Sequence, residues 1–290
     1  MIELTRRTAL FGAASLACPA LAQPASPWRT TAAAQLAEIE RRAGGRLGVA
    51  AADSNTGLVI RHRDVERFPM CSTFKFLAVS ALLARVDAGK ESLERRIVIE
   101  KDKLEAYSPE THKHVGAEGM TFAALCEAAI TLSDNTAANL ILAALGGPAA
   151  VTAFARSLGD KETRLDRTEP AVNEATPGDP RDTTTPAAIL NDMRTIILGE
   201  ELTAHSRAQL LAWLAANKTG GKRLRASLPA GWQIGDKTGS GGHGTANDIA
   251  VITPPGRQPI LVAVYFTESA LSGDARDAVI ADVGRVIAGR

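Results

Sequence analysis

Segments with the pattern of β-strands lie only near the two ends of the chain, and a long region of helical pattern separates them. Near the amino end, residues 46–52 and 58–62 have this pattern on either side of a Ser-Asn-Thr-Gly turn, as in a β-hairpin. Three further strand segments lie towards the carboxyl end, at residues 232–238, 248–252 and 259–267. Because consecutive strands usually pair, we expect one antiparallel sheet of five strands assembled from both ends.

Helical patterns account for most of the remaining chain. Residues 30–43 and 273–288 each have one apolar face, so we expect these two helices to cover one face of the sheet. The region between the strands carries helical runs at residues 122–131, 135–145 and 186–198. The predicted fold is therefore an α/β protein of the α+β type.

The predicted domain division follows from these patterns. Residues 23–64 and 217–290 form a discontinuous α/β domain, and residues 65–216 form an inserted all-helical domain. Pockets are common between such units, so a binding cleft is expected where the two domains meet.

The first 22 residues have the features of an export signal. Arg6-Arg7 precedes an apolar run, and a small-residue triplet ending at Ala22 resembles a cleavage site. The paired arginines favour the twin-arginine route, with the general export route as the alternative. A lipoprotein attachment at Cys18 fits less well. We expect cleavage after Ala22 and a mature protein in the periplasm.

Charge and cysteine content exclude several classes of function. The chain has 33 basic and 32 acidic residues, and the leader contains two of the basic ones and one acidic one, so the mature chain carries no net charge. A nucleic-acid partner is therefore not expected. Cys71 and Cys126 lie in apolar helical patterns and are interpreted as buried thiols, although one disulfide is arithmetically possible. His112 and His114 lack further ligands at metal spacing and are interpreted as surface residues.

A serine and a lysine lie at the start of a helical segment that has almost no polar face, residues 69–83. Ser72 and Lys75 are three residues apart, so they project from the same side of the helix. The lysine can take the serine proton, and free amide groups at a helix start can hold an oxyanion. The alternative is a capping serine beside a lysine that extends to water.

Two polar triplets accompany this pair further along the chain. They are Ser133-Asp134-Asn135, between two predicted helices, and Lys237-Thr238-Gly239, at the end of a predicted strand. Taken singly, the first is an ordinary capping turn, with Asp134 as the cap, and the second an ordinary polar strand end.

Taken together, the three motifs resemble those of the penicilloyl-serine enzymes. A fourth segment, residues 167–182, is similar to the omega loop of class A serine β-lactamases, with Glu169 and Asn173 four residues apart. The resemblance covers essentially the whole mature chain. It implies a β-lactamase/D,D-peptidase-like fold and hydrolysis of the β-lactam amide of penicillins and cephalosporins, which gives antibiotic resistance. Arg167 and Asp182 bracket the loop, and an ion pair between them would hold it closed.

The resemblance also implies a role for each site residue. Four are catalytic: Ser72, Lys75, Ser133 and Glu169. Seven bind substrate: Tyr107, Asn135, Asn173, Lys237, Thr238, Ser240 and Arg223. The backbone N–H groups of Ser72 and Ser240 form the oxyanion hole. Whether Lys75, or Glu169 through a water, takes the Ser72 proton stays open at this point. Arg225 is the alternative to Arg223, and a solvated surface charge is a third interpretation.

Two departures from other family members bear on cysteine pairing. Cys71 precedes Ser72 as in carbapenem-hydrolysing relatives, but Gly241 occupies the position of its partner cysteine. Val79 replaces the cysteine that pairs with Cys126 in other members. Neither disulfide is expected, and carbapenem hydrolysis stays open. We expect a monomer that acts on small-molecule β-lactams with no metal or other cofactor.

Two other functions use the same motifs. One is a D,D-peptidase acting on cell-wall peptides. Glu169 and Asn173 argue against this function, because these two side chains can direct a water at the acyl ester. The other is a sensor domain that is acylated once. The sequence predicts neither a transmembrane helix nor a partner domain, which argues against this function.

Overall fold

The computed structural model describes Met1 and residues 27–289, so the predicted leader lies outside the described residues except for Met1. In that part of the chain the strands are β1 (Arg46–Asp53), β2 (Val59–His62), β3 (Phe68–Pro69), β4 (Arg96–Ile99), β5 (Gly116–Thr121), β6 (Thr183–Thr184), β7 (Gln233–Gly241), β8 (Thr245–Thr253) and β9 (Ile260–Thr267). The α-helices are α1 (Pro27–Ala43), α2 (Phe74–Asp87), α3 (Phe122–Thr131), α4 (Asn135–Leu145), α5 (Pro148–Ser157), α6 (Pro186–Leu198), α7 (Ala204–Ala215) and α8 (Gly273–Ile287).

The main sheet has five strands in the order β2-β1-β9-β8-β7, and every neighbouring pair is antiparallel. Strand β1 pairs along its whole length with β9, from Arg46 opposite Thr267 to Asp53 opposite Ile260. The prediction of one antiparallel sheet built from both ends is therefore confirmed. Strand β7 lies at the edge of this sheet, so its outer side is free to face another part of the molecule.

The two faces of the sheet belong to two different apolar cores. Along β8, Ile249 and Val251 join the core of the helical region, whereas Ala250 and Ile252 join a core shared with α1 and α8. This alternation is the period of two that a strand imposes on its side chains. The predicted terminal helices therefore cover one face of the sheet, and the helical region covers the other.

The prediction that the region between the sheet strands lacks strands of its own is wrong in two places. Strands β4 and β5 form a separate two-stranded ribbon, and β3 pairs with β6. The first pair is hidden in the sequence because a bulge and the glycines of β5 interrupt the alternation. The second has two residues in each strand, which is too short to show a period.

Helix α2 occupies the centre of the helical region. Its first ten residues, 74–83, are all buried, and it contacts α3, α4, α5 and α7. The predicted helix at residues 69–83 begins later than expected, because Pro69 belongs to β3 and residues 71–73 form a separate 3₁₀ turn. None of the described helices alone has the length and hydropathy of a membrane span. Helices α4 and α5 have both only when they are taken together, and they meet at an angle of 69°.

The edge strand β7 lies directly against the start of α2. A Cβ atom at Gly239 would lie 2.8 Å from the carbonyl oxygen of Met70, so only glycine permits this approach. The strand edge and the turn before α2 are thereby held together, and the polar motifs of both elements meet there.

Candidate active site

Ser72 lies in the 3₁₀ turn Cys71–Thr73, immediately before α2. The preceding residue, Cys71, has a positive φ of 45°, a left-handed conformation that is unusual for a residue other than glycine. The Ser72 hydroxyl is buried and donates a hydrogen bond to Oε1 of Glu169 at 3.0 Å. The predicted nucleophile and the predicted loop acid are therefore in direct contact.

Lys75 is fully buried and makes three close polar contacts. Its Nζ lies 2.9 Å from Glu169 Oε1, and it donates to Asn135 Oδ1 at 2.8 Å and to the carbonyl oxygen of Ser133 at 2.7 Å. Burial lowers the pKa of Lys75 below its usual value, and the Glu169 carboxylate opposes that shift. The interpretation of Lys75 as a lysine that extends to water is wrong, because its ammonium group is enclosed.

Ser133 connects the two buried lysines. It has a positive φ of 59°, and its Oγ accepts hydrogen bonds from Lys237 Nζ at 3.0 Å and from Lys75 Nζ at 3.4 Å. Burial, and then the positive charge of Lys75, lower the pKa of Lys237 well below its usual value. The next residue, Asp134, caps α4 by accepting from the N–H of Ala137, as predicted. A hydroxyl between two ammonium groups is placed to give up and regain a proton at low cost.

Glu169 is 2 % exposed, so the alternative of an ordinary exposed loop acid does not apply. Asn173 donates its amide N–H to Oε2 of Glu169, which leaves Oε1 for Ser72 and Lys75. A residue that sequence reasoning missed, Asn139, hydrogen-bonds both the N–H and the carbonyl oxygen of Glu169. Its signal was its place on α4, four residues after Asn135 and hence on the same face.

The predicted ion pair of the omega loop is present. Arg167 Nε lies 2.5 Å from Asp182 Oδ2, and Asp182 is 1 % exposed. The second oxygen of Asp182 accepts from the backbone N–H groups of Asp166 and Arg167 at 2.7 and 2.9 Å. Arg167 also pairs with Glu174. The two ends of the loop are thus joined through one buried carboxylate.

A cavity of about 340 Å³ opens above these buried groups, between the turn before α2 and the edge of β7. Eight of the predicted site residues line it: Ser72, Tyr107, Ser133, Asn135, Asn173, Arg223, Thr238 and Ser240. Lys75, Lys237 and Glu169 are buried. Thr219 also lines the cavity and was not predicted; its hydroxyl is hydrogen-bonded to that of Thr238.

Of the two candidate arginines, the structure brings Arg223 to the cavity. Arg223 donates to Ser240 Oγ at 2.6 Å and to the Gly239 carbonyl oxygen at 2.8 Å, and its Nε pairs with Asp277 at 2.7 Å. Arg225 instead pairs with the buried Asp236 at 2.5 Å. The site therefore has two cations close to the end of β7, Lys237 and Arg223.

The cysteines and histidines lie where the sequence predicted. Cys71 and Cys126 are free, buried thiols, and His112 and His114 are exposed. A Cβ atom at Gly241 would lie 2.6 Å from Cys71 Sγ, so Gly241 is the immediate neighbour of that thiol. Within residues 27–289, no group of three or more His, Cys, Asp or Glu side chains is placed to hold a metal ion.

Comparisons with known proteins identify the family of this chain. Residues 31–290 match the model of the β-lactamase enzyme family. The chain is 47 % identical over 284 residues to β-lactamase OXY-1 of Klebsiella oxytoca, covering 97 % of each protein. It is 49 % identical over 253 residues to β-lactamase CTX-M-25 of Escherichia coli, covering 87 % of each.

A solved structure of an ancestral (GNCA) class A β-lactamase superposes with a TM-score of 0.88 at 67 % identity, covering 89 % of this chain and 99 % of that one. Sequence and fold therefore agree over nearly the whole described chain. The chain belongs to the β-lactamase enzyme family, as a class A serine β-lactamase.

Proposed function

We propose that this enzyme opens both penicillins and cephalosporins by acylating Ser72 and then hydrolysing the ester with the help of Glu169. The observation that carries the proposal is the position of Glu169 Oε1, 3.0 Å from the Ser72 hydroxyl and 2.9 Å from Lys75 Nζ. A carboxylate at this point can take a proton first from the nucleophile and later from a water molecule.

Acylation begins when Ser72 Oγ attacks the lactam carbonyl carbon and its proton passes to Glu169. The direct hydrogen bond between the two side chains supports Glu169 as the acceptor. The carbonyl oxygen becomes an oxyanion, to which the backbone N–H groups of Ser72 and Ser240 donate. One such donor typically stabilises the transition state by about 3 kcal/mol.

The lactam C–N bond then breaks, and Ser133 gives its hydroxyl proton to the departing nitrogen. Lys237 and Lys75, at 3.0 and 3.4 Å from Ser133 Oγ, stabilise the negative charge that this leaves. Lys75 also contacts Glu169, so it can return the proton taken from Ser72 to Ser133.

Deacylation repeats the chemistry with water as the nucleophile. Glu169, again ionised, removes a proton from a water that attacks the ester carbonyl, and Ser72 leaves with a proton restored to its oxygen. Asn173 keeps Glu169 oriented through its hydrogen bond to Oε2. This step gives repeated turnover, which a protein that is acylated only once lacks.

The cavity lining supports most of the proposed substrate contacts. Thr238, Ser240 and Arg223 line the cavity and bind the substrate carboxylate, together with the buried Lys237 behind them. Asn135 contacts the acylamino side chain, and Tyr107, which is 52 % exposed, forms one wall.

Mixing the purified chain with an excess of benzylpenicillin tests this function for penicillins. The same experiment with nitrocefin, a cephalosporin, tests it for cephalosporins. We expect many turnovers of each, no effect of a chelator, and no turnover by a folded Ser72→Ala variant. One stoichiometric burst without turnover would contradict the proposal for both classes, and turnover of benzylpenicillin alone would contradict it for cephalosporins.

Export to the periplasm and a monomeric state complete the proposal. The enzyme would leave the cytoplasm by way of residues 1–22 and begin at Gln23. Amino-terminal sequencing of protein from a periplasmic fraction, and light scattering of that protein, test both points. A full-length chain in the cytoplasm or a dimeric mass would contradict them.

A further inference from the structure

A carboxylate outside the proposed catalytic set, Glu105, contacts the residue that holds Glu169. It lies two residues before Tyr107, in the segment that forms one wall of the cavity, and is partly buried. Its Oε1 accepts a hydrogen bond from Asn139 Nδ2 at 3.0 Å. Asn139 in turn makes two hydrogen bonds to the backbone of Glu169, so one amide connects Glu105 to the loop acid.

The amide of Asn139 uses all of its main hydrogen-bonding directions in this arrangement. Its Oδ1 accepts from the Glu169 N–H at 2.9 Å, and its Nδ2 donates to the Glu169 carbonyl oxygen at 3.0 Å and to Glu105 at 3.0 Å. A side-chain amide has one oxygen acceptor and two N–H donors, which point in fixed directions. Both N–H groups are therefore engaged, and a half-turn of the amide would set its oxygen against the carboxylate of Glu105.

Glu105 is itself held in place by its backbone. Its N–H donates to Thr136 Oγ1 at 2.8 Å, and its carbonyl oxygen accepts from Ser108 Oγ at 2.8 Å. Thr136 and Asn139 both belong to α4, so the helix fixes the main chain and the carboxylate of Glu105 at two separate points. The carboxylate is thereby an acceptor of defined position, and hydrogen bonds to ionised acceptors are stronger than those to neutral ones.

We propose that Glu105 is a positioning residue for hydrolysis of the acyl ester: its carboxylate orients the Asn139 amide, and that amide fixes the backbone from which Glu169 reaches Ser72. This inference rests on the role of Glu169 in the proposed function. Glu105 also connects the wall segment that carries Tyr107 to the omega loop, so a movement of one is transmitted to the other. A small displacement of a catalytic group is sufficient to slow a reaction substantially.

Steady-state kinetics and quenched mass spectrometry of three variants with benzylpenicillin test the proposal. In Glu105→Leu the acceptor is lost, and we expect kcat to fall about tenfold with KM falling alongside it, because deacylation becomes slower while acylation continues. The intact protein should then carry one penicilloyl group during turnover. Glu105→Gln retains an oxygen acceptor and should keep kcat close to that of the unchanged enzyme.

Asp102→Leu is the matched control, because Asp102 is an exposed acid three residues earlier whose carboxylate lies 3.9 Å from the ammonium group of its neighbour Lys103. It should leave both constants unchanged. If Glu105→Leu does not fold, Glu105→Ala takes its place.

An unchanged kcat in Glu105→Leu would overturn the proposal. A lower kcat at constant KM with no acylated protein would overturn it too, since that result indicates only a smaller fraction of active enzyme. Equal damage in Glu105→Gln and Glu105→Leu would also overturn it. Glu169→Ala, measured in parallel, separates the two levels of inference. If that variant turns over benzylpenicillin as fast as the unchanged enzyme, the proposed role of Glu169 fails whatever Glu105 does.

Discussion

Lys75 and Lys237 carry their ammonium groups to fully buried positions around the Ser133 hydroxyl. Buried lysines are rare unless they are paired, and each of these donates to a backbone carbonyl oxygen as well, that of Ser133 or of Thr238. Burial lowers the pKa of both. A lysine with a lowered pKa exchanges protons more readily near neutral pH, which suits a group between Glu169 and Ser133.

Asp192, on α6, is a buried carboxyl outside the active site and predicts a pH dependence of stability. Burial, and then the nearby Asp160 carboxyl, raise the pKa of Asp192 to about 9. The unfolded chain loses this proton near pH 4. Between these two pH values the folded state binds a proton that the unfolded state does not, so the free energy of unfolding falls as the pH rises.

Asp192→Asn removes that titration. We expect the variant to gain stability over the unchanged protein by roughly 1 kcal/mol for each pH unit between pH 5 and pH 8. Urea denaturation at several pH values measures this difference. A difference that stays constant with pH would show that Asp192 titrates alike in both states.

At this scale the sequence predicted the residues that belong to motifs and missed those that support them. Ser72 and Lys75 are recognisable because a serine and a lysine share one side of an otherwise apolar segment. Asn139 has only its place four residues after Asn135 as a signal, and Thr219 and Glu105 have no local signal. Their contacts join residues 19 to 34 positions apart, which only the folded chain brings together.

The omega loop is the element on which turnover is proposed to depend. Its ends are joined by Asp182, and its middle is joined to the turn between β7 and β8, because Gly242 donates its N–H to the Asn173 carbonyl oxygen at 2.8 Å. Its inner side presents Glu169 to Ser72. The loop therefore behaves as part of the site wall, and loosening it should affect both stability and deacylation.

Asp182→Asn tests this expectation. Asn cannot balance the charge of Arg167, and removing one partner of a buried ion pair typically costs about 3–5 kcal/mol of unfolding free energy. We expect the melting temperature and kcat to fall together, measured by calorimetry and with benzylpenicillin. Asp179→Asn, in the more exposed pair with Arg181, should change both much less. Unchanged melting and kinetics in Asp182→Asn would refute the structural role of the pair.

The longer elements were predicted more completely than the short ones. The five sheet strands and six of the described α-helices show a period of two or of 3.6 and were predicted, whereas α5 and α7 were missed. The short strands β3 and β6, and the interrupted ribbon of β4 and β5, do not show such a period. Their pairing is fixed by contacts with distant parts of the chain, which no local pattern reveals.

Across residues 27–289, two apolar cores lie one on each face of the five-stranded sheet, and the helix that follows Ser72 belongs to the core of the helical region. The core under α1 and α8 is therefore expected to support stability without taking part in the chemistry. The division into residues 23–64 with 217–290 and an inserted domain of residues 65–216 stays a prediction.

Ile280→Ala tests the separation of these roles. Ile280 lies on α8, is fully buried, and belongs to the core opposite the site. Its truncation should lower the free energy of unfolding by about 2–5 kcal/mol. We expect kcat/KM at 25 °C, where the protein is still folded, to stay unchanged. A large loss of kcat/KM in a fully folded variant would show that this core also shapes the site.

The most direct measurement of the central claim is the fate of Ser72 in a Glu169→Ala variant given excess benzylpenicillin. Lys75 can still take the Ser72 proton in this variant, whereas the water has lost its base. The account therefore predicts intact protein carrying one penicilloyl group on Ser72, with steady turnover reduced by about 10²–10⁴-fold. Turnover at the rate of the unchanged enzyme, with no acylated protein detected by mass spectrometry, would contradict it.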